Sequence, residues 1–389
     1  MKIREVEAFN LFYPFSERII PPASLPTGEG LREVAYAGYR TVITKITSED
    51  GTVGFGESMV RLAPEAVVSI IHSLKPILAG RDIFDVGVIW EQMFATMANR
   101  GHYQGYLIEA MSGIDIALWD LIGRTLKKPV FALLGGAFNK RLPCYASSIR
   151  ISDREGAVPL ALQWVKQGFK VMKVKIGANP SDPTEDLELV GNLRAAVGPS
   201  IKIMVDANCG FDTYSALQVA QELEKYNIYW FEEPLAPDDL DGYLILSSKS
   251  KIPIAAGESL FTRYGFRDLI SKKAVSIIQP EICKAGGFTE CLKIAAMSSA
   301  FHIPYSPHAG SILSAIGAAA SIHLSAALPN FLIHEYQCSY WEKDKDKINP
   351  FRLLAGDPIE RVDQGYMEIL QGPGLGIEID EAKLLKYRI

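Results

Sequence analysis

Apolar and polar residues alternate along much of the first 60 positions, as they do in strands that bury one face. One run is MKIREVEAFNLF at 1–12, and another is YRTVITKITSEDGTVGFGE at 39–57, which contains the turn sequence SEDG at 48–51. A polar turn between two alternating runs is typical of a β-hairpin. The N-terminal segment is therefore predicted to form antiparallel strands.

Apolar residues then recur at helical spacing, three and four positions apart. They do so at 66–78, 88–97 and 106–126, and the last segment is the clearest because Pro129 and the Gly135-Gly136 pair follow it. With the strands, these helices predict an α+β unit over residues 1–130.

From position 142 onward, short apolar runs alternate with amphipathic stretches. The runs are VMKVKIG, IKIMVDAN, IYWFEEP, IPIAAGE, VSIIQPE and HIPYSPH. Strand followed by helix, repeated through all of these runs, predicts parallel strands and favours a closed (β/α) barrel in the α/β class. The structural alternative is a doubly wound open sheet. The Gly-rich turn typical of that fold is missing, because GPGLG at 372–376 precedes the strand-like IEID and not a helix.

Composition narrows the function classes. The chain has 389 residues, 48% hydrophobic and 22% charged, which excludes disorder, collagen and coiled coil. Its net charge is -5 and it has no dense Lys/Arg run, so nucleic acid is not an expected partner. The five cysteines form no CxxC pair and the N-terminus lacks an apolar signal segment, so we expect reduced thiols and a cytoplasmic protein. The apolar stretch 311–333 carries Ser, His and Pro and is predicted to be a buried helix and not a membrane span.

Polar residues follow the strand-like runs at regular intervals. They are Asp206, Glu232, Glu258, Glu281 and His308, spaced by 26, 26, 23 and 27 residues. Because barrel enzymes place their active sites at the carboxyl ends of the strands, these side chains are expected to converge on one mouth. Any one acid alone is more commonly a helix N-cap or a surface ion-pair partner, but capping does not require this even spacing.

Three of these carboxylates on neighbouring strands, Asp206, Glu232 and Glu258, would repel one another unless a cation lay between them. An all-oxygen ligand set points to a hard ion, and Mg2+ is preferred to zinc, which favours His or Cys.

Lys173 and Lys175 stand two apart in VMKVKIG and share one face of a strand. Two neighbouring ammonium groups are expected to lower each other's pKa towards the range of a general base. The alternative is a solvated edge strand protected by lysine, but the apolar residues on the other face argue against it. His308 is expected to lie across the barrel from the two lysines. Glu281, one strand before it, is placed to fix the tautomer of its imidazole. A structural role is expected for His72, His302, His323 and His334.

These residues resemble the enolase superfamily and, within it, the mandelate racemase-like group. The resemblance is carried by KVK at 173–175, VDAN at 205–208, FEEP at 231–234, AGES at 256–259, QPE and GGFTE within 279–290, PHAG at 307–310, HEY at 334–336, SGIDIALWD at 112–120 and the GPGLGIEID tail. It spans nearly the whole chain.

The resemblance implies a modified (β/α)7β TIM-type barrel at 131–340. An α+β capping domain at 1–130 and a C-terminal segment at 341–389 that returns to the cap are also implied. It implies that Asp206, Glu232 and Glu258 bind Mg2+, with Mn2+ as a substitute.

The resemblance also assigns roles to the other residues. Lys175 moves a proton on one face of the substrate with Lys173 modulating it, and His308 works on the opposite face. Glu335 hydrogen-bonds the enolate-like intermediate, and Asn208 touches the metal site or the substrate carboxylate. The group pairs its His with Asp, whereas this chain has Glu281. The muconate lactonizing branch of the superfamily has a catalytic lysine five places before the GG pair, where this sequence has Glu281. Lys284 therefore does not match that lysine.

The implied reaction is Mg2+-dependent removal of the proton α to a carboxylate to give an enediolate, followed by β-elimination of water from a sugar acid. Cycloisomerisation of a sugar-acid lactone and racemisation or epimerisation of a 2-hydroxy acid are alternatives within the superfamily. A non-catalytic barrel that binds a metal or a sugar acid is the alternative from another class. Substrate contacts are expected from Arg18, His102 and Tyr103 in the capping segments, and a homo-oligomer is expected.

Overall fold

The N-terminal part of the computed structural model is a three-stranded antiparallel sheet. The structure describes residues 1–15, 37–149, 154–177, 179–337 and 349–389. The strands, in the order β1-β2-β3, are β1 (Ile3–Pro14), β2 (Gly38–Ser48) and β3 (Val53–Ser58). The predicted antiparallel strands are confirmed, and the turn between β2 and β3 contains Gly51 with φ 88.

Three helices follow the sheet; the first and third pack against it, and the second packs against those two helices. They are α1 (Pro64–Leu78), α2 (Val86–Ala95) and α3 (Tyr106–Leu126). The third has the bounds that the apolar spacing predicts. Its backbone lies directly against β3, where Gly54 and Gly56 have no side chain to keep the helix away. We call these strands and helices the N-terminal unit.

A ring of parallel strands follows. Its members are β4 (Arg141–Ile149), β5 (Val171–Lys175), β6 (Lys202–Asp206), β7 (Ile228–Glu232), β8 (Ile254–Ala256), β9 (Ile277–Ile278) and β10 (His334–Tyr336). Each pairs in parallel with the next as far as β9, and β10 pairs in parallel with β4. Tyr305 bridges Ile278 of β9 to Phe331, which lies just before β10. The ring therefore closes, which confirms the barrel and excludes the open sheet.

One short helix precedes β4, and the other helices lie between successive strands of the ring in the sequence. They are α4 (Val130–Leu133), α5 (Arg154–Lys166), α6 (Thr184–Val197), α7 (Thr213–Leu223), α8 (Leu240–Lys249), α9 (Thr262–Ser271), α10 (Ile282–Ala285), α11 (Gly287–Ala300) and α12 (Ala315–Ala327). Short 3-10 helices lie at Ile83–Asp85, Ala98–Arg100, Glu224–Tyr226 and Pro350–Leu353. Every residue of α12 is buried, as predicted for the stretch 311–333. No helix in the described ranges has the length and apolar character needed to cross a membrane.

The interior of the barrel is layered by the two-residue period of its strands. An apolar layer is formed by Tyr145, Val171, Met204, Trp230, Ala255, Ile277 and Ile333. Two residues further along four of these strands come Lys173, Asp206, Glu232 and Glu335, which are buried as well. The same face of each strand is therefore apolar at depth and charged towards its carboxyl end.

The C-terminal tail contacts both parts of the molecule. Its elements are β11 (Val362–Asp363), β12 (Tyr366–Glu368) and α13 (Glu381–Lys386), and β12 pairs antiparallel with β4 of the barrel. Near its end, Arg388 bridges to Leu11 of β1. The tail thus connects the barrel to the N-terminal sheet.

The close approach of β3 and α3 gives a stability prediction. A Cβ at Gly56 would lie 1.9 Å from the Gly113 carbonyl oxygen and 2.6 Å from the Ala117 nitrogen, and neither backbone atom can rotate away. We expect Gly56→Ala to lower the free energy of unfolding by about 3 kcal/mol or more, at the upper end of overpacking costs. Urea unfolding followed by circular dichroism measures this.

Gly87→Ala is the matched control, because no heavy atom lies within 4 Å of a Cβ there. It should leave the unfolding midpoint unchanged or raise it slightly. Equal midpoints for the two variants would contradict the packing argument.

Candidate active site

Three carboxylates converge at the mouth of the barrel. Asp206 is the last residue of β6, Glu232 is the last residue of β7, and Glu258 lies two residues beyond β8. One oxygen from each lies within 4.8 Å of the others. This all-oxygen donor set suits a hard divalent cation such as Mg2+. Asp206 and Glu232 are fully buried, and Glu258 is partly exposed towards the mouth.

Lys173 lies beneath the carboxylates, with a side chain only 1% exposed. Its ammonium group bonds Glu232 and lies 3.0 Å from Glu335 Oε1 and 3.4 Å from Asp206 Oδ2. Burial alone lowers the pKa of Lys173, but the facing carboxylates outweigh burial, so this pKa lies well above its ordinary value. Lys173 is therefore a permanent buried cation in this arrangement.

Lys175 is nearer the mouth, with a side chain 26% exposed, and its ammonium group bonds Asp206. Burial lowers its pKa and Lys173 lowers it further, but Asp206 reverses the direction, so the pKa of Lys175 is raised. The prediction that the paired lysines have lowered pKa values is wrong for this structure. The repulsion between them exists, but the sequence spacing did not show that carboxylates would face both.

The same charges act on the acids. Burial raises the pKa of Asp206, but Lys175 and Lys173 outweigh it and hold that pKa at about 2. Burial raises the pKa of Glu232 to about 8 in spite of its ion pair with Lys173, and the nearby Asp206 charge contributes to the increase. Asp206, Glu232 and Glu335 therefore compete for the positive charge of the Lys173 ammonium group.

His308 and Glu281 form a buried pair on the far side of the cluster. His308 Nδ1 lies 2.8 Å from Glu281 Oε2, and His308 Nε2 lies 3.4 Å from Glu258 Oε2. Burial lowers the pKa of His308, but Glu258 and the hydrogen bond to Glu281 raise it to about 9. The longer Glu side chain therefore reaches the imidazole at the position where the mandelate racemase-like group has Asp. The backbone N–H of Cys283 donates to the other oxygen of Glu281 and helps to fix this carboxylate.

Glu335 lies in the same buried layer as Lys173, Asp206 and Glu232. It accepts hydrogen bonds from the Ser147 hydroxyl at 2.7 Å and from the Ala309 backbone N–H at 3.0 Å, in addition to its contact with Lys173. Burial raises the pKa of Glu335, but Lys173 and His308 outweigh burial and hold it well below its usual range.

The structure places the remaining predicted residues differently. The backbone N–H of Asn208 donates to Asp206 Oδ1 at 2.9 Å, so Asn208 adjoins the cluster. His102 and Tyr103 are exposed on the segment before α3, and within the described ranges neither side chain bonds to the cluster. Arg18 lies outside the described residues. Substrate contacts by these last three residues stay predictions.

Sequence reasoning missed two residues that hold Glu232. The Trp230 indole donates to Glu232 Oε2 at 3.1 Å, and the Gln279 amide donates to the same oxygen at 2.8 Å. Trp230 stands two positions before Glu232 on one strand, so the period of the strand could have shown that they share a face. Gln279 comes directly after β9, and although it begins the QPE motif, the sequence did not show that its amide would reach Glu232, 47 residues away. Ser147 was missed for the same reason.

Backbone strain marks the loops after β6 and β7. Asn208, Cys209 and Glu233 have φ values of 42, 62 and 37, in the left-handed region that non-glycine residues rarely adopt. Such conformations cost energy and cluster at functional sites, although other loops of this chain also contain them. Here they turn the chain sharply after Asp206 and Glu232.

Two family models match the chain. Residues 32–135 match the mandelate racemase / muconate lactonizing enzyme N-terminal domain, and residues 157–383 match the enolase C-terminal domain-like model. Together they cover most of the N-terminal unit and most of the barrel and tail.

Named relatives cover most of the chain. It is 35% identical to an arabinonate dehydratase from Saccharolobus solfataricus, over 89% of this chain and 90% of that protein. It is 32% identical to a D-galactarolactone cycloisomerase from Agrobacterium fabrum, over 90% of this chain and 91% of that protein.

Two solved structures are similar to this chain over its full length. The 3,6-anhydro-D-galactonate cycloisomerase from Zobellia galactanivorans has a TM-score of 0.85 at 32% identity and covers 100% of both chains. A racemase from Streptomyces coelicolor with bound magnesium has a TM-score of 0.84 at 25% identity and also covers 100% of both chains.

The buried histidines outside the cluster give a pH prediction. His323 accepts a hydrogen bond from the Phe131 N–H at 3.3 Å, and burial lowers its pKa to about 4. His334 is also buried and its pKa is also lowered to about 4. Between about pH 6.5 and 4 the unfolded chain binds protons at these residues and the folded chain does not, so stability falls as the pH falls.

Each histidine contributes about 1.4 kcal/mol per pH unit within that window. His323→Asn keeps an acceptor for Phe131 and should reduce the pH slope of the unfolding free energy between pH 6.5 and 4.5, without changing it above pH 7. Urea unfolding at a series of pH values measures the slope. A slope identical to that of the wild type would contradict the assignment.

Proposed function

The chain belongs to the mandelate racemase / muconate lactonizing enzyme family of the enolase superfamily, and we propose that it removes the proton α to the carboxylate of a sugar acid and then expels a β-hydroxyl as water. Its named relatives include sugar-acid dehydratases and a cycloisomerase, so the chain is an enzyme, a lyase or an isomerase. The observation that carries the specific proposal is one basic side chain at each end of the carboxylate cluster. Lys175 contacts Asp206 at one end and His308 contacts Glu258 at the other.

Asp206, Glu232 and Glu258 would hold Mg2+, since their oxygens lie close enough together for one ion. When bound, Mg2+ would stabilise the negative charge that develops on the substrate carboxylate. Mn2+ accepts similar oxygen ligands and is the expected substitute. Trp230 and Gln279 support this role, because their hydrogen bonds orient Glu232 towards the cluster.

Lys175 takes the α-proton. It is the lysine that reaches the mouth, whereas Lys173 is fully enclosed and supplies fixed positive charge beneath the site. To act as the base, Lys175 must first be a neutral amine, and Mg2+ held by Asp206 would offset the ion pair that raises the pKa of Lys175. The C–H bond then breaks, the proton goes to the Lys175 amine, and the electron pair forms the enediolate of the substrate. The Lys173 ammonium group stabilises negative charge in this region without moving.

His308 completes the dehydration. With Glu281 holding Nδ1, the Nε2 side of the imidazole faces the cluster and can protonate the departing β-hydroxyl. The C–O bond breaks as the enediolate electrons form the new double bond, and water leaves. The enol product then tautomerises to a 2-keto acid.

Cycloisomerisation is the second candidate, and the cycloisomerase names among the relatives favour it. The same two groups would act on a lactone, with the ring oxygen leaving instead of water. Reprotonation by the opposite group would give racemisation or epimerisation. A barrel that only binds a sugar acid would not need a basic side chain at each end of the carboxylate cluster.

Substrate choice belongs to the segments over the mouth. We include in the proposal that residues 1–130 and 341–389 form a cap over a barrel at 131–340. Arg18, His102 and Tyr103 in the cap are then the expected contacts for the polyhydroxy chain.

Substitution of Lys175 and His308, the two proposed proton-transfer groups, tests the reaction. Aldonic and aldaric acids and their lactones are incubated with the protein and Mg2+ in D2O, and α-proton exchange and 2-keto product are followed by NMR. Lys175→Ala and His308→Asn should each lower turnover by about 10²-fold to 10⁴-fold, the range of general acid and base catalysis. Lys225→Ala, which removes an exposed lysine paired only at the surface, is the control.

The outcomes separate the candidates. A dehydrated 2-keto product establishes the dehydratase, ring opening or closure without loss of water establishes the cycloisomerase, and inversion alone establishes the racemase. Failure of the wild type to exchange the α-proton of any acid would contradict the proposed function.

Removal of one carboxylate ligand tests the proposed metal site. Asp206→Asn removes one ligand charge and should weaken Mn2+ binding, measured by electron paramagnetic resonance, by at least about 10-fold. EDTA should abolish turnover and added Mg2+ should restore it. Asp241→Asn, an exposed change on α8, should bind Mn2+ as the wild type does, and unchanged binding by Asp206→Asn would contradict the ligand assignment.

A further inference from the structure

The segment that follows His308 is held mainly by residues from outside the barrel. It runs from Ala309 to Ser314 and ends where α12 begins. Its first N–H, that of Ala309, donates to Glu335 of β10, and its later peptides are held by other parts of the chain. The contacts of this segment therefore bear directly on where the imidazole lies.

Gly310 is the surface on which the His308 ring rests. A Cβ at Gly310 would lie 2.6 Å from His308 Cε1 and 3.1 Å from His308 Nε2. The imidazole thus packs against the bare Cα of this glycine. Any shift of the Gly310 peptide would move the ring or its Nε2 face.

Arg352, from the tail, holds the Gly310 peptide. Its guanidinium group donates from Nη2 to the Gly310 carbonyl at 3.0 Å and from Nη1 to Glu360 Oε2 at 2.7 Å. Arg352 and Glu360 are both buried. A planar guanidinium with one edge fixed by a buried carboxylate presents its remaining N–H groups in a fixed direction.

Two further side chains hold the rest of the segment. The buried amide of Asn349 lies 3.1 Å from the carbonyls of Ser311, Ile312 and Leu313. Glu57 of β3 accepts from the Ser314 hydroxyl at 2.6 Å and from the Gly317 N–H at 2.8 Å. The anchors beyond Ala309 thus come from the tail and from the N-terminal unit, and Arg352 holds the peptide against which the ring packs.

We propose that Arg352, oriented by Glu360, is a positioning residue for His308, acting through the Gly310 peptide. Arg352 touches no reacting atom. It sets the position of the imidazole relative to Glu258 and the carboxylate cluster, so the tail of the chain contributes to catalysis although it carries none of the catalytic groups. The effect on turnover rests on the proposed function, whereas the effect on the position of the ring does not.

The experiment reads the ring directly. The protein is labelled with 15N at its six histidines, and the imidazole signals are recorded by NMR in the wild type, Arg352→Lys and Gly310→Ala. The signals of His308 are assigned as those missing from His308→Asn. Arg352→Lys keeps the charge opposite Glu360 but loses the planar fork, and Gly310→Ala disturbs the ring while removing no buried charge.

Matched controls separate positioning from general destabilisation. Arg124→Lys alters a comparable partly buried ion pair, which joins Asp120 of α3 to Ile377 and Glu378 of the tail. Gly87→Ala is the glycine control. Both should leave the His308 signals unchanged.

We expect Arg352→Lys and Gly310→Ala to shift the His308 signals. Where the wild type turns over a sugar acid, kcat should fall at least about 10-fold with KM changed less than about threefold, since small misplacement of a catalytic group costs rate and not binding. His308 signals of Arg352→Lys that coincide with those of the wild type, or a loss of kcat in that variant no greater than in the two controls, would overturn the proposal. If the wild type converts no acid, the proposed function fails, and the NMR comparison still decides the positioning role.

Discussion

The structure depends on the mutual compensation of buried charges at the barrel mouth. Asp206, Glu232 and Glu335 are enclosed in one layer, where like charges repel strongly and water cannot screen them. The Lys173 ammonium group contacts all three. Removing one partner of such a group leaves an uncompensated buried charge, which is far more costly than losing a surface ion pair. The layer is therefore maintained as a unit.

Lys173 and Lys175 lie in different surroundings within this charge arrangement. Lys173 is surrounded on every side by carboxylates and protein, so its charge is a constant of the site. Lys175, two residues later, reaches the mouth and meets Asp206 there. A single strand thus supplies one enclosed cation at depth and a second, partly exposed one at the mouth, because successive residues on one face differ mainly in their distance from solvent.

The barrel alone does not complete the site. His308 follows a short connection whose peptides are held by Arg352 and Asn349 of the tail and by Glu57 of the N-terminal sheet. The tail and the N-terminal sheet therefore hold peptides that adjoin the imidazole of His308.

The sequence by itself determined the closed ring of parallel strands, the antiparallel N-terminal sheet and the convergence of Asp206, Glu232 and Glu258, because these features follow from local periodicity and even spacing. Only the tertiary structure decided the direction of the lysine pKa values, since that direction depends on which distant charges face each ammonium group. It also decided the hydrogen bonds from Gln279 to Glu232 and from Arg352 to Gly310, whose partners lie 47 and 42 residues apart. The physical reason is the same in each case: short-range electrostatic and hydrogen-bond interactions depend on distance in space, and residue spacing reports that distance only within one helix, one strand or one repeated unit.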